Sequence, residues 1–338
     1  MSFQVTVQPS GRQFQVHDEE TLLQAALREG IGLPYGCRSG ACGSCKGKVL
    51  EGRVDYGDYQ ASALSEEDKA QGKALFCCAR PIGDVVIEAR EVSGFADMQI
   101  KKLPCRVEAI ERPNHDVVVL KLKLPANEKF EFMAGQYIDF LLKDGKRRSF
   151  SLANSPHDAA LLELHIRHYP GGSFSGFVFN ELKERGILRF EGPLGAFVLR
   201  EDSEKPIIFM AGATGFAPIK GMIEYARHKG ITRPMVLYWG VQSVVDLYQR
   251  EVVRTWEAEL PHFTFVPVLS APLPEDQWTG RTGFVHQAIL EDFLDLSGHQ
   301  VYACGASRMV EAGFKAFTES RALPENEFYS DPFVPSGT

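Results

Sequence analysis

Five of the seven cysteines in this 338-residue chain lie before residue 80, and three share one run, Cys37-Arg-Ser-Gly-Ala-Cys42-Gly-Ser-Cys45. A C-x4-C-x2-C run followed by a distant fourth cysteine is a spacing that holds a [2Fe–2S] centre. Two irons need four thiolates, and one loop can wrap them only if its backbone bends tightly and approaches the sulfides. Gly36, Gly40 and Gly43 permit such angles, while Ser39, Ala41 and Ser44 leave backbone N–H groups free to point at sulfur. The fourth thiolate must come from elsewhere, and Cys77 and Cys78 both offer one. Zinc also takes four thiolates, but zinc knuckles favour two CxxC pairs and only one is present. Buried, unligated cysteines are the alternative with no metal at all.

Two further constellations suit phosphate-bearing ligands. Arg148-Ser-Phe150-Ser151 stands at the end of an expected strand pair, followed by Leu-Ala-Asn154. Downstream, Gly171-Gly172-Ser173-Phe174-Ser175 opens a helix expected near Gly176–Leu182. A glycine turn into a helix start presents unsatisfied N–H groups and the positive end of the dipole, which suits a pyrophosphate, and Arg148 can clamp the same phosphate bidentately. Later, Ile207–Ala211 runs into Gly212-Ala-Thr214-Gly215-Phe-Ala217-Pro218 and a helix. Glycines directly after a parallel strand let the backbone approach a dinucleotide.

These residues are positioned by three compositional blocks. In the first, residues 1–95, strand-like Phe3–Val7 and Phe14–Val16 flank a turn at Ser10-Gly11. Asp18–Thr21 then caps a helix with Leu22, Leu23, Ala26 and Leu27 on one stripe, Gly30 and Gly32 end it, and Val85–Ile87 closes the block as a strand. Ser93–Lys102 reads as a linker. Residues 103–200 turn strand-rich, with Val117–Leu124, Tyr137–Leu142, Phe150–Leu152 and Leu161–Ile166 punctuated by Gly and Pro as in an antiparallel barrel. Residues 205–338 alternate apolar strands (Ile207–Ala211, Met235–Trp239, Phe263–Leu269, Val301–Cys304) with helical segments, the signature of a parallel sheet.

The formal charge of −7 argues against a nucleic-acid groove or an anionic-membrane anchor, and no stretch approaches the ~18 apolar residues of a membrane span. The alternating start, MSFQVTVQPSGRQFQV, reads as a strand and not as an export signal. The cysteines are therefore expected in a reducing, cytoplasmic compartment, where ligation is favoured over disulfides. His165 and His168 flank Ile166-Arg167, but on a strand they do not converge, and a solvated or structural role is expected for them. Glu66-Glu67-Asp68 reads as the solvated start of a helix.

The first block resembles plant-type ferredoxins, in which the last ligand follows a Leu-x pair. Leu75-Phe76-Cys77 fits that pattern, so the resemblance selects Cys77 with Cys37, Cys42 and Cys45, and leaves Cys78 and Cys105 structural. The remainder resembles the ferredoxin–NADP reductase superfamily, whose signatures are Arg-x-Tyr-Ser/Thr, Gly-x-x-Ser and Gly-x-Thr-Gly-x-Ala-Pro. Phe150 departs from the family tyrosine; its ring can still stack on a flavin, without a hydroxyl. The resemblance implies a β-grasp ferredoxin domain, an antiparallel β-barrel binding FAD and a Rossmann-like α/β nicotinamide domain. It places Arg148, Phe150, Ser151, Gly171, Gly172, Ser173 and Ser175 at FAD, with Ser151 at flavin N5. Gly212, Thr214, Gly215, Pro218, Cys304 and Gly305 fall at the nicotinamide, and Phe333, in Asp331-Pro-Phe333, lies over the flavin.

A 2′-phosphate wants Arg or Lys after the strand Met235–Trp239. None precedes Arg250 there, and Asp246 would repel it, so NADH is expected over NADPH. The domain order is similar to that of CDP-6-deoxy-Δ3,4-glucoseen reductases and of the reductase components of ring-hydroxylating dioxygenases. It implies electron delivery to a partner protein, a dehydratase or an oxygenase. Arg-Arg-Ser-Phe-Ser-Leu-Ala-Asn and Phe-Tyr-Ser-Asp-Pro-Phe incline the reading to the first group. A non-catalytic redox sensor or carrier is the alternative from another class.

Overall fold

The computed structural model describes residues 2–95 and 98–334, and the chain divides into two units, 1–99 with 194–197 and 100–193 with 198–338. In the first unit, β1 (Phe3–Gln8) and β2 (Gln13–Val16) form the expected hairpin, with Phe3 opposite Val16. Helix α1 (Leu22–Arg28) starts in a capping box: the Gln24 N–H donates to Thr21 Oγ1 at 3.2 Å, and the Thr21 N–H donates to Gln24 Oε1 at 2.9 Å. It buries Leu22, Leu23, Ala25 and Ala26; Ala25 and not Leu27 completes the stripe. Each of the two leucines contributes about 1.5–3 kcal/mol by leaving water.

Then follow β3 (Lys46–Glu51), β4 (Val54–Asp55), α2 (Glu66–Ala70), β5 (Lys73–Leu75), β6 (Arg80–Pro81) and β7 (Val85–Glu88). Glu66, Glu67 and Asp68 do form the first turn of α2, capped by Ser65. Strand β7 lies between β1, to which it is parallel, and β3, to which it is antiparallel, in the order β2-β1-β7-β3-β5. This mixed sheet with α1 is a β-grasp.

The second unit begins with β8 (Lys101–Glu111), so a strand starts inside the segment expected to be a linker; Ala96 and Asp97 of that segment lie outside the described residues. It continues through β9 (Val117–Lys123), β10 (Tyr137–Leu141), β11 (Arg147–Ser151), β12 (Leu162–Arg167), α3 (Ser173–Asn180) and β13 (Ile187–Leu194). Their order is β11-β10-β13-β8-β9-β12, and a bridge from Leu152 to Leu164 joins the two ends into a barrel. Its interior holds Val107, Leu120, Ile138, Phe140, Leu164 and Phe190.

The nucleotide half runs β14 (Ile207–Gly212), α4 (Phe216–Lys229), β15 (Met235–Val241), α5 (Arg250–Glu259), β16 (Phe263–Leu269), β17 (Arg281–Thr282), α6 (Val285–Asp292), β18 (Gln300–Ala306), α7 (Ser307–Ser320) and β19 (Phe328–Phe333). The sheet is parallel, ordered β17-β16-β15-β14-β18-β19. Chain order therefore reverses between β14 and β18, and ligands of open α/β sheets bind at the carboxyl ends beside such a switch point.

Candidate functional site

In the first unit the cysteine loop follows Leu33 and Tyr35, both buried, and precedes β3. Left-handed backbone falls at Arg38 (φ 59°), Gly40 (69°) and Gly43 (76°); Gly36 is not one of these turns. The bends aim N–H groups at sulfur. Cys37 N–H donates to Cys42 Sγ at 3.3 Å, Ser39 N–H to Cys37 Sγ at 3.4 Å, and backbone N–H groups at Ala41 and Gly40 reach Cys37 and Cys77.

The sulfurs associate as Cys37 with Cys42 and Cys45 with Cys77, so the fourth cysteine comes to the loop from the end of β5. A hydrogen bond from Cys42 holds the Cys37 thiol down to about 5. One from Cys45 brings Cys77 down to about 3, and burial with the shared proton pushes Cys42 and Cys45 up. Two sulfur pairs ringed by peptide N–H donors fit a diiron centre. Cys78 Sγ stands 3.5 Å from Cys77 Sγ, and a Cβ on Gly40 would come within 2.8 Å of it, so Gly40 also makes room for Cys78. Cys105 is buried on β8, in the barrel core.

In the barrel, β11 pairs with β10 so that Arg148 faces Phe140, Phe150 faces Ile138, and Ser151 faces Tyr137. Pleating puts Arg148 and Phe150 on one side and the buried Ser151 on the other. The Phe150 ring packs 5.4 Å from Phe174 and 5.9 Å from Phe140, which joins β11 to α3. Helix α3 starts at Ser173, three residues earlier than expected, after Gly171 (φ 78°) and Gly172. Ser175 is occupied locally: its Oγ accepts from Tyr169 N–H at 3.1 Å and lies 3.2 Å from Tyr169 O and 3.3 Å from Gly172 O, bracing the turn. Among the described residues no side chain caps α3, and Arg148 donates to Arg147 O and pairs with no carboxylate. An uncapped helix start and an uncommitted guanidinium fit a pyrophosphate.

At the switch point, Ala211 is paired with Cys304, which places Gly212 beside Gly305. The approach is close. A Cβ on Gly212 would come 2.6 Å from Met309 Sδ, one on Gly305 3.0 Å from Gly212 Cα, and one on Gly215 2.1 Å from the Cys304 carbonyl oxygen. Trp239 Nε1 donates to Ala213 O at 3.0 Å, which holds the loop from the β15 side. Thr214 and Pro218 are buried in the turn and the first turn of α4. Glycine at these positions lets the loop pack directly against β18 at the switch point, where open α/β sheets bind dinucleotides. Cys304 has no exposed surface, and burial, with Asp331 beside it, pushes its thiol well up, so it stays a neutral S–H. Phe333, 36% exposed, ends β19, opposite Ala306 of β18; the terminal run is a paired strand.

After β15, Asp246 does not face out as a free carboxylate. Its Oδ2 accepts from both the N–H and Oγ of Ser243 at 3.0 Å. Arg250 stands 5.6 Å over the Trp278 ring. His165, for which a solvated or structural role was expected, is buried and hydrogen-bonded to Tyr248 and to Glu163, whose carboxylate also pairs with Lys220. Alternation of Glu163 and His165 on one strand face was the available signal; their partners are remote in sequence.

Residues 5–81 match the 2Fe-2S iron–sulfur cluster binding domain, residues 104–199 the oxidoreductase FAD-binding domain, and residues 209–314 the oxidoreductase NAD-binding domain. A CDP-6-deoxy-L-threo-D-glycero-4-hexulose-3-dehydrase reductase of Yersinia pseudotuberculosis is 42% identical, over 99% of this chain and 100% of its own. The phenol hydroxylase P5 protein of Acinetobacter pittii is 36% identical, over 99% and 95% respectively. Among solved structures, an Amycolatopsis cytochrome P450 reductase superposes with a TM-score of 0.79 at 35% identity, covering 99% of this chain and 100% of that one. No helix among the described residues is long and apolar enough to cross a membrane. With two sulfur pairs in a β-grasp, a barrel with an uncapped phosphate turn and a glycine-lined switch point, the chain belongs to the ferredoxin–NADP reductase superfamily, as an NAD(P)H-dependent iron–sulfur flavoprotein oxidoreductase with its own [2Fe–2S] ferredoxin domain.

Proposed function

We propose that the chain is the NADH-dependent reductase of a cytoplasmic two-protein system, delivering single electrons to a partner dehydratase of the CDP-6-deoxyhexulose type. The observation that carries this reading is the 42% identity to the dehydrase reductase along the whole chain. Bound FAD would supply the conversion of a two-electron hydride from NADH, released as NAD+, into the single electrons that a [2Fe–2S] centre can carry to the acceptor.

The chain's own residues supply binding and orientation. Cys37, Cys42, Cys45 and Cys77 hold the irons. Arg148 with the Gly171–Ser173 turn holds the flavin pyrophosphate, and Ser175 keeps that turn in shape. Phe150 and Phe333 would pack against a bound flavin, and Ser151 would offer its hydroxyl to the flavin N5. Gly212, Thr214, Gly215 and Pro218 carry the dinucleotide, while Cys304 and Gly305 wall the nicotinamide side. NADH is favoured because no cation stands between β15 and Arg250 to meet a 2′-phosphate. Seven cysteines without a disulfide suit a reducing compartment.

The acceptor assay decides between partners. Purified holoprotein with NADH is combined with a CDP-4-keto-6-deoxyhexose 3-dehydratase and its substrate, and separately with an aromatic-ring oxygenase component. Turnover only with the dehydratase supports the reading, and turnover only with the oxygenase replaces it by that of an oxygenase reductase, the class to which the 36% identical phenol hydroxylase protein points. Reduction of neither ferricyanide nor cytochrome c by NADH or NADPH would leave a redox sensor.

A further inference from the structure

Glu163 and His165 lie two residues apart on β12 and so share one face. Glu163 Oε1 is 2.9 Å from His165 Nε2 and 3.2 Å from Lys220 Nζ. Lys220, on α4, also pairs with Glu224 at 2.8 Å and donates to Ala153 O at 3.3 Å. On the other side of the imidazole, Nδ1 is 2.8 Å from the Tyr248 hydroxyl.

The proton positions follow from these neighbours. Burial alone would raise Glu163, but His165 and Lys220 outweigh it and hold its carboxyl at about 2, so the carboxylate only accepts. Nε2 therefore carries the proton. Burial keeps the ring neutral, so Nδ1 accepts from the Tyr248 O–H. Every link is satisfied, His165 and Lys220 are buried and Glu163 and Tyr248 half-buried, an arrangement that fixes one geometry.

Its location gives the chain of bonds a use. Lys220 is five residues beyond Gly215. Phe216, the first residue of α4, is boxed by Trp239 (ring centroids 4.0 Å apart), Tyr248 (6.1 Å) and His165 (6.3 Å). Trp239 in turn donates to Ala213 within the loop. At the other end Lys220 grips Ala153, two residues past Ser151, and a Cβ on Gly221 would come 3.2 Å from Leu152 O and 3.1 Å from Asn154 O. One continuous set of contacts thus ties the dinucleotide loop to the strand end that carries Ser151.

We propose that His165, with Glu163, Lys220 and Tyr248, is a positioning relay that sets the nicotinamide loop in register with the flavin side of the barrel. The proposal rests on the functional reading above. Holoprotein carrying Tyr248→Phe, which keeps the ring and removes only the hydroxyl, and Lys220→Met, which keeps the length and removes the charge, tests it.

Three quantities are read: bound FAD per chain, the rate of flavin bleaching at saturating NADH in the stopped flow, and amide exchange over residues 213–217. The relay predicts full FAD, faster exchange in the loop, and bleaching slowed about tenfold, the equivalent of one hydrogen bond of about 1.4 kcal/mol. Wild-type bleaching and exchange in both variants, a change confined to KM, or activity lost only in proportion to lost FAD would each overturn it. A wild-type protein that neither NADH nor NADPH can reduce would instead overturn the functional reading itself.

Discussion

Gly215→Ala isolates the close approach on which the proposed dinucleotide site depends. Gly215 has φ −59° and ψ −12°, a conformation any residue adopts, so backbone strain is not the issue. The obstacle is contact. The new Cβ would lie 2.1 Å from the Cys304 carbonyl oxygen and 2.4 Å from its carbon, where ordinary van der Waals contact begins at 3.4 Å, so the loop must retreat by about 1.3 Å from β18. The obstructing atoms are backbone of Cys304, which is fully buried on a strand paired on both sides, and cannot swing aside. Overpacking of this kind costs about 1–3 kcal/mol, and a misplacement of about 1 Å between reacting groups can cost about a hundredfold in rate.

Gly230→Ala is the matched control. Gly230 caps α4 at φ 67° with nothing within 4 Å of a Cβ, so alanine there meets strain of about 1–2 kcal/mol and no clash. Both variants are expected to melt a few degrees lower and to retain FAD. Only Gly215→Ala should bleach its flavin with NADH about a hundredfold more slowly in an anaerobic stopped flow. Equal bleaching rates in the two variants would refute the reasoning.

Other expectations follow from named contacts. Cys77→Ser should abolish the visible bands of a four-thiolate cluster while Cys78→Ser preserves them; the reverse result would exchange their assignments, since the two sulfurs are only 3.5 Å apart. Ser151→Ala should retain FAD but slow its reduction by NADH, and full-rate reduction would remove Ser151 from the flavin site. Glu163 is held at about 2 against an ordinary 4.5, so its folded carboxylate contributes about 3 kcal/mol above pH 4.5. That contribution should fade as pH falls from 4.5 towards 2. Urea unfolding of wild type and Glu163→Gln should therefore differ most near neutrality and converge in acid, and a pH-independent gap would contradict the ion-pair account.

Short-range chemistry was the legible part of this molecule. The cysteine run, the Gly-Gly-Ser turn and the Gly-x-Thr-Gly loop declare themselves within ten residues each, because tight turns and ligand approach demand glycine where they occur. Helix α1 could be read from its cap and stripe, though Ala25 rather than Leu27 turned inward. Strand β8 runs through Pro104, a residue that lacks the N–H of a ladder, because Pro104 is exposed while Leu103, Cys105 and Val107 alternate inward. Strand β13 likewise includes a proline, ending in Gly192-Pro193-Leu194. Phe328–Phe333 gains its strand character from pairing with β18, a partner already placed by the rest of the sheet. For His165 the sequence offered only its alternation with Glu163: its partner Tyr248 is 83 residues away, and Lys220 lies on a helix of the other half of the unit.

Direct evidence for the central claim would come from adding NADH anaerobically to the holoprotein while following visible absorption and low-temperature electron paramagnetic resonance. Hydride entering at the switch point and leaving through Cys37, Cys42, Cys45 and Cys77 predicts that flavin bleaching is accompanied by the signal of a reduced [2Fe–2S] centre, up to one per chain. Bleaching of the flavin with an iron–sulfur centre that stays oxidised, or zinc bound at the four cysteines, would contradict it.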